Sequence, residues 1–205
     1  MSCKIILSFT FSVLLCSAFS QNLLVNPSFE SGLSGWVTGG KAVFATDTTV
    51  VHSGKRSARL TIPSGTTPEW QRFTISYAVK PGEKYSCRVW VRSQGVTTTP
   101  GPFIEIQMQT AGGYGVKYGS KSDMTNGAAG WEELSIDSAT VPINYGDHYS
   151  AMNISLILNA NATVWFDDAS LELVKSSDFP FAKSNINLST PVVKDFKGFG
   201  AEWDS

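Results

Sequence analysis

Two stretches of strict alternation decide most about what this chain can fold into. In residues 84–92, Tyr85, Cys87, Val89 and Val91 alternate with Ser86, Arg88, Trp90 and Arg92; in residues 103–109, Ile104, Ile106 and Met108 alternate with Phe103, Glu105, Gln107 and Gln109. Successive side chains of a strand point to opposite faces, so each stretch offers an apolar face to a core and an amphipathic face to water. Turn signals punctuate them: Pro81-Gly82, Gly112-Gly113 and Asn126-Gly127. Residues 151–158 and 164–173 read as closing strands, and no convincing amphipathic helix or internal repeat interrupts residues 22–174. The prediction is an all-β chain, two antiparallel sheets packed as a sandwich.

The ends read differently. Residues 1–20 carry one basic residue, Lys4, an apolar run over 5–19, and Ala18-Phe19-Ser20 ahead of Gln21, the pattern of a signal peptide for export. Ser8, Thr10, Ser12 and Ser17 interrupt that run, which falls short of the roughly 20 residues of a membrane span. Cys16 suggests a lipid anchor, but Leu15 stands where a small residue is wanted. Cleavage would make the protein secreted and extracellular, leave Cys87 without a disulfide partner, and take the formal charge from -1 to -2. With 16% charged residues, 12% aromatics and 18 glycines, the chain suits a neutral polar ligand better than nucleic acid or an anionic membrane. Residues 175–184, KSSDFPFAKS, read as a linker, and residues 192–205, VVKDFKGFGAEWDS, as a new apolar segment too short to fold alone.

Four segments, in order, resemble carbohydrate-binding modules of families four, nine and twenty-two: NPSFESGLSGW (26–36), HSGKRSARL (52–60), KPGEKY (80–85) followed by VWV (89–91), and VWFDDASL (164–171). The resemblance implies a jelly-roll β-sandwich over residues 21–174 that holds polysaccharide, β-glucan or xylan by class. FKGFGAEWD (196–204) resembles the opening strand of (β/α)-barrel glycoside hydrolases. That implies that residues 185–205 begin a hydrolase domain continuing beyond Ser205, with its catalytic carboxylates on later barrel strands.

A sugar ring has an apolar C–H face and a rim of hydroxyls, so its receptor needs exposed aromatic planes beside amides, carboxylates or guanidinium groups. Covering one pyranose face removes roughly 50 Å² of apolar surface, about 1 to 1.5 kcal/mol. Two or three such contacts and a few hydrogen bonds, less the cost of association, point to dissociation constants of roughly micromolar to millimolar. The platform expected here is Trp70 and Tyr114, supported by Trp90, Tyr118, Arg88, Glu105, Gln107 and Gln109. Trp70 precedes a strand in a polar stretch, and both tyrosines lie in the Gly-rich AGGYGVKYGS (111–120). The competing reading has Trp70 capping the core edge and the tyrosines covering a loop. Trp36 and Trp131 resemble recurrent packing tryptophans and are assigned to the core.

The resemblance also implies a structural calcium ion, held by Glu30, just after what reads as a first strand, by Asp167 and by the carbonyl of Lys55. Asp168 replaces Asp167 if the strand register slips by one. A buried carboxylate is costly without a cation, and calcium takes about six to eight oxygens. Catalytic signatures are missing: His52 and His148 sit in no nucleophile–base arrangement, and there is no zincin, Walker or dinucleotide motif. Cys87 lies on an apolar strand face, as a small core residue would. Sequons at Asn153, Asn161 and Asn187 matter only in a glycosylating host, the first least because it falls in a strand. Two rival readings remain: the front piece of a glycosidase, and a structural spacer that binds no sugar.

Overall fold

The computed structural model describes residues 21–97, 101–120, 130–143 and 149–177, with Tyr114 described by its backbone alone. The signal-peptide reading of 1–20, the Asn126-Gly127 turn, His148, Asn187 and the segment 178–205 therefore lie outside the described residues.

Ten strands follow one another: β1 (Val37–Gly39), β2 (Val43–Asp47), β3 (Ser57–Thr61), β4 (Gln71–Ala78), β5 (Lys84–Gln94), β6 (Phe103–Thr110), β7 (Gly113–Gly119), β8 (Glu132–Thr140), β9 (Tyr149–Leu158) and β10 (Thr163–Lys175). They form two antiparallel sheets of order β1-β4-β9-β6-β7 and β2-β3-β10-β5-β8. Among these strands, only β2–β3 and β6–β7 are successive neighbours in one sheet; every other connection crosses to the opposite sheet, the winding of a jelly roll. The all-β sandwich read from alternation is what forms.

The alternation also gives the faces correctly. Tyr85, Cys87, Val89 and Val91 from β5 meet Ile104, Ile106 and Met108 from β6 in a core to which β9 adds Met152, Ile154, Leu156 and Leu158. Phe73 is its aromatic centre, with ring centroids 5.2 Å from Phe44 and 6.3 Å from both Phe29 and Phe166. Burial pushes the Cys87 thiol up to about 12, so it is the inert small core residue that its strand face implied.

The expected first strand before Glu30 does not form. Asn26, Phe29, Gly32 and Gly35 all have positive φ, which breaks the extended backbone. The Asn26 side chain holds the resulting loop, donating to the carbonyls of Gly32 and Ser34 and accepting from the Ser31 N–H. This loop delivers Phe29 and Trp36 to the core, their rings 5.2 Å apart. Trp36 is thus a core residue as expected, whereas Trp131 is only half-buried and packs edge-on to His52.

Candidate functional site

The outer face of the β4 sheet carries a groove of about 200 Å³. Its floor is set by register. Thr74, Ser155 and Glu105 form one row across β4, β9 and β6; Asn153, Gln107 and Lys117 form the next across β9, β6 and β7. The hydroxyls of Thr74 and Ser155 are hydrogen-bonded at 3.0 Å. Arg72 enters from β4 above Ile157, which is fully buried on this face between Arg72 and Phe103.

Trp70 forms one wall. Its φ of 57° lies in the left-handed region that a bulky residue rarely adopts, and its N–H donates to Asn159 Oδ1 at 2.9 Å. The kink turns the indole out of the strand path and leaves it 46% exposed, so it does not cap the core. Opposite, Lys117 Nζ sits 5.0 Å from the indole centroid and 3.5 Å from Glu105 Oε1, tying wall and floor together. The groove thus combines one aromatic plane, short hydroxyls and amides, one acid and two cations.

Of the residues expected from sequence, Trp70, Glu105 and Gln107 are brought together here. Gln109 lies farther along the same face of β6, opposite Ala151 and the backbone of Tyr114. Tyr118 pairs with Ile106, packs against the core and donates its hydroxyl to the Thr140 carbonyl, so it faces away from the groove. Arg88 and Trp90 require a correction. They are on the outer face of the β5 sheet, where Arg88 bonds Glu133 and Asp137 and Trp90 stacks on His52 at 4.1 Å. A single platform combining them with Trp70 cannot form, because period-two alternation identifies the face of a strand and leaves open which sheet it joins.

Sequence reasoning missed Arg72, Thr74, Lys117, Asn153 and Ser155. A signal existed for some: Arg72, Thr74 and Ser76 alternate with Phe73, Ile75 and Tyr77, and Asn153 and Ser155 interrupt an otherwise apolar strand.

A second cluster surrounds residues 52–56. Asp167, fully buried, accepts hydrogen bonds from the N–H groups of His52, Ser53 and Asp168 at 2.8, 3.3 and 2.8 Å. Burial raises its carboxyl above the usual range, while those N–H groups oppose the rise. Glu30 Oε1 accepts from the N–H groups of Lys55 and Arg56 at 2.7 and 3.0 Å. Gly54, at a φ of 62°, leaves room for that carboxylate where any Cβ would collide with it. Asp168 turns outward at a bulge in β10 and holds His52 Nδ1 at 2.7 Å and Ser53 Oγ at 2.9 Å. Glu30 and Asp167 therefore grip the same short loop. Among the described residues no three His, Cys, Asp or Glu side chains gather as a metal site, so calcium here would need backbone carbonyls to complete its shell.

Residues 21–148 match the family described as "Carbohydrate binding domain". Comparison with curated proteins gives no match. Among solved structures, the fold is similar to the arabinose-bound α-L-arabinofuranosidase MgGH51, with TM-score 0.57 and 17% identity over 78% of this chain and 27% of that one. It is similar to the CBM22-1 xylan-binding domain of Paenibacillus barcinonensis Xyn10C, with TM-score 0.52 and 19% identity over 73% and 92%. The CBM22-1–GH10 modules of Clostridium thermocellum Xyn10B, complexed with xylohexaose, give TM-score 0.57 and 17% identity over 74% and 28%. At these identities the likeness is one of fold, and the chain spans about a quarter of the arabinofuranosidase's length.

Proposed function

Because this chain belongs to the carbohydrate binding domain family, we propose that the groove over β4, β9, β6 and β7 is where it holds a polysaccharide, without cleaving it. The observation that carries this reading is the exposed indole of Trp70 standing over a floor of hydroxyl, amide and carboxylate groups. A pyranose face covers the indole while its hydroxyls bond Thr74, Ser155, Asn153, Gln107 and Glu105, the pairing of apolar plane and polar rim that a sugar needs. One aromatic contact with a few hydrogen bonds corresponds to the weak end of the expected range, about millimolar, enough to keep an attached enzyme near an insoluble polymer.

Xylan and β-glucan are the polymers to try first: the former appears with two structural neighbours, and the sequence resembles modules that bind both. In this reading the signal peptide exports the protein, and the segment 185–205 leads into a glycoside hydrolase for which the module supplies proximity. Calcium, if present, is held by Glu30, Asp167 and the Lys55 carbonyl and braces the loop 52–56 rather than touching sugar.

Affinity gel electrophoresis tests the site. Xylan or mixed-linkage β-glucan in the gel retards the protein, Trp70→Ala abolishes the retardation with an unchanged melting temperature, and Arg88→Ala on the opposite sheet leaves it intact. Free migration in every polymer, or retardation that survives Trp70→Ala, overturns the assignment and favours a structural spacer.

A further inference from the structure

The charges of the groove are more specific than a neutral sugar requires. Its lining holds Arg72, Lys117 and Glu105. Glu105 and Lys117 answer each other at 3.5 Å, which leaves the Arg72 guanidinium. Among the described residues no carboxylate lies within ion-pair distance of Arg72, as holds for Arg56 and Arg92, but of these three only Arg72 lines the groove. Its Nη1 makes a long 3.4 Å hydrogen bond to the carbonyl of Trp70, and its Cγ, Nε and Cζ lie against Gly39, each 3.4 Å from where a Cβ would stand. Packing on Gly39 fixes both stem and guanidinium plane, and among the described residues Nη2 has no hydrogen-bond acceptor. The chain as a whole carries a formal charge of -1, so this cation is a local feature of the groove and no part of a generally basic surface.

A docked chain removes water from this half-buried guanidinium. Neutral hydroxyls would replace that water with weak, poorly matched acceptors, while a carboxylate fits the planar fork with paired, charge-assisted hydrogen bonds. Resting on the carbohydrate-binding reading, we propose that the groove selects polysaccharides bearing uronic acid units, with Arg72 pairing the carboxylate while a neighbouring ring of the same chain covers Trp70. Glu105 does not repel such a ligand because Lys117 already neutralises it. Lys117 contributes by holding Glu105 and the indole in place.

The experiment compares glucuronoxylan and polygalacturonate with the same polymers after reduction of their carboxylates to alcohols, using the full chain in affinity gels and calorimetry. A carboxylate-reading groove binds at least one acidic polymer about five- to tenfold more tightly than its reduced form, a preference that shrinks with added salt. Which polymer shows the preference identifies the uronate. Arg72→Gln removes the preference, so that acidic and reduced polymer bind alike, while Trp70→Ala abolishes binding of both forms. Equal affinity for acidic and reduced polymer, with Trp70→Ala still abolishing both, overturns the uronate proposal and leaves the carbohydrate site standing. No binding to either form by the wild type overturns the uronate proposal, and the carbohydrate reading falls with it when mixed-linkage β-glucan also fails to bind. A preference that persists in Arg72→Gln shows that another group reads the carboxylate and overturns the role of Arg72.

Discussion

Asp47 illustrates how much a single side chain can organise. Its Oδ1 accepts from Thr49 N–H, Thr49 Oγ1 and Val50 N–H, and its Oδ2 from Trp165 Nε1 at 3.0 Å and Arg59 Nη1 at 3.3 Å. Burial pushes the carboxyl up, but the hydrogen bonds from Thr49, Trp165 and Val50 outweigh it and hold the group well below the usual carboxylate range. A depressed folded value means that the stabilisation is complete above the ordinary Asp value of about 4 and is lost as pH falls below it. Asp47→Asn is therefore expected to cost about 1 to 3 kcal/mol at neutral pH, and the gap from wild type to shrink on acidification below about pH 4. Urea titrations across that range check it, and a pH-independent gap would rule the account out. Three of the hydrogen bonds to Asp47 come from Thr49 and Val50 beside it in the sequence, and one comes from Trp165, 118 residues away in the chain.

At the scale of elements, the entry to β4 is the device that builds the groove wall. The buried Gln71 amide accepts from the N–H groups of Lys41 and Ala42 at 2.5 and 2.6 Å and donates to the Glu69 carbonyl at 2.9 Å, pinning the β1–β2 turn to the strand start. Gly40 passes so close that a Cβ there would collide with this amide. One residue earlier, Asn159 from the β9–β10 turn accepts the Trp70 N–H and secures its left-handed backbone. Asn159→Ala is expected to weaken polysaccharide binding about two- to tenfold, the worth of one hydrogen bond, with little change in melting temperature. Calorimetry measures it; unchanged affinity would mean that the indole needs no such anchor. That Trp70 is exposed was legible from the polar stretch around it. Its wall position was not, because the contacts that make it span 89 residues to Asn159.

For the whole molecule, stability rests on one core shared by two sheets, with the loop 52–56 clasped between Glu30 and Asp167 at its edge. If calcium binds there, it binds the folded chain and raises the melting temperature by mass action, about 2.7 kcal/mol at a concentration 100 times its dissociation constant. Thermal melts with calcium and with a chelator test this, and Asp167→Ala should abolish the response. A melting temperature indifferent to both removes calcium from this protein's account. Polysaccharide binding should respond far less, since the loop contributes nothing to the groove lining.

Sequence alone determined the all-β class and the buried and exposed faces of β5 and β6, and its candidates included three residues that line the groove, Trp70, Glu105 and Gln107. The reason is physical: a strand's period of two is a local property that any eight or nine residues display. Which strands become neighbours is not local. Only the folded chain decided that β5 enters one sheet and β6 the other, so Arg88 and Trp90 moved to the opposite side of the molecule while Arg72, Asn153, Ser155 and Lys117 converged from three strands. Segment 22–36 divides in the same way. Trp36 was assigned to the core from sequence, but the positive-φ positions replaced the expected strand with a loop closed on the side chain of Asn26. A groove is made by juxtaposition across hydrogen-bonded rows, and juxtaposition is what tertiary structure adds to a pattern already written along each strand.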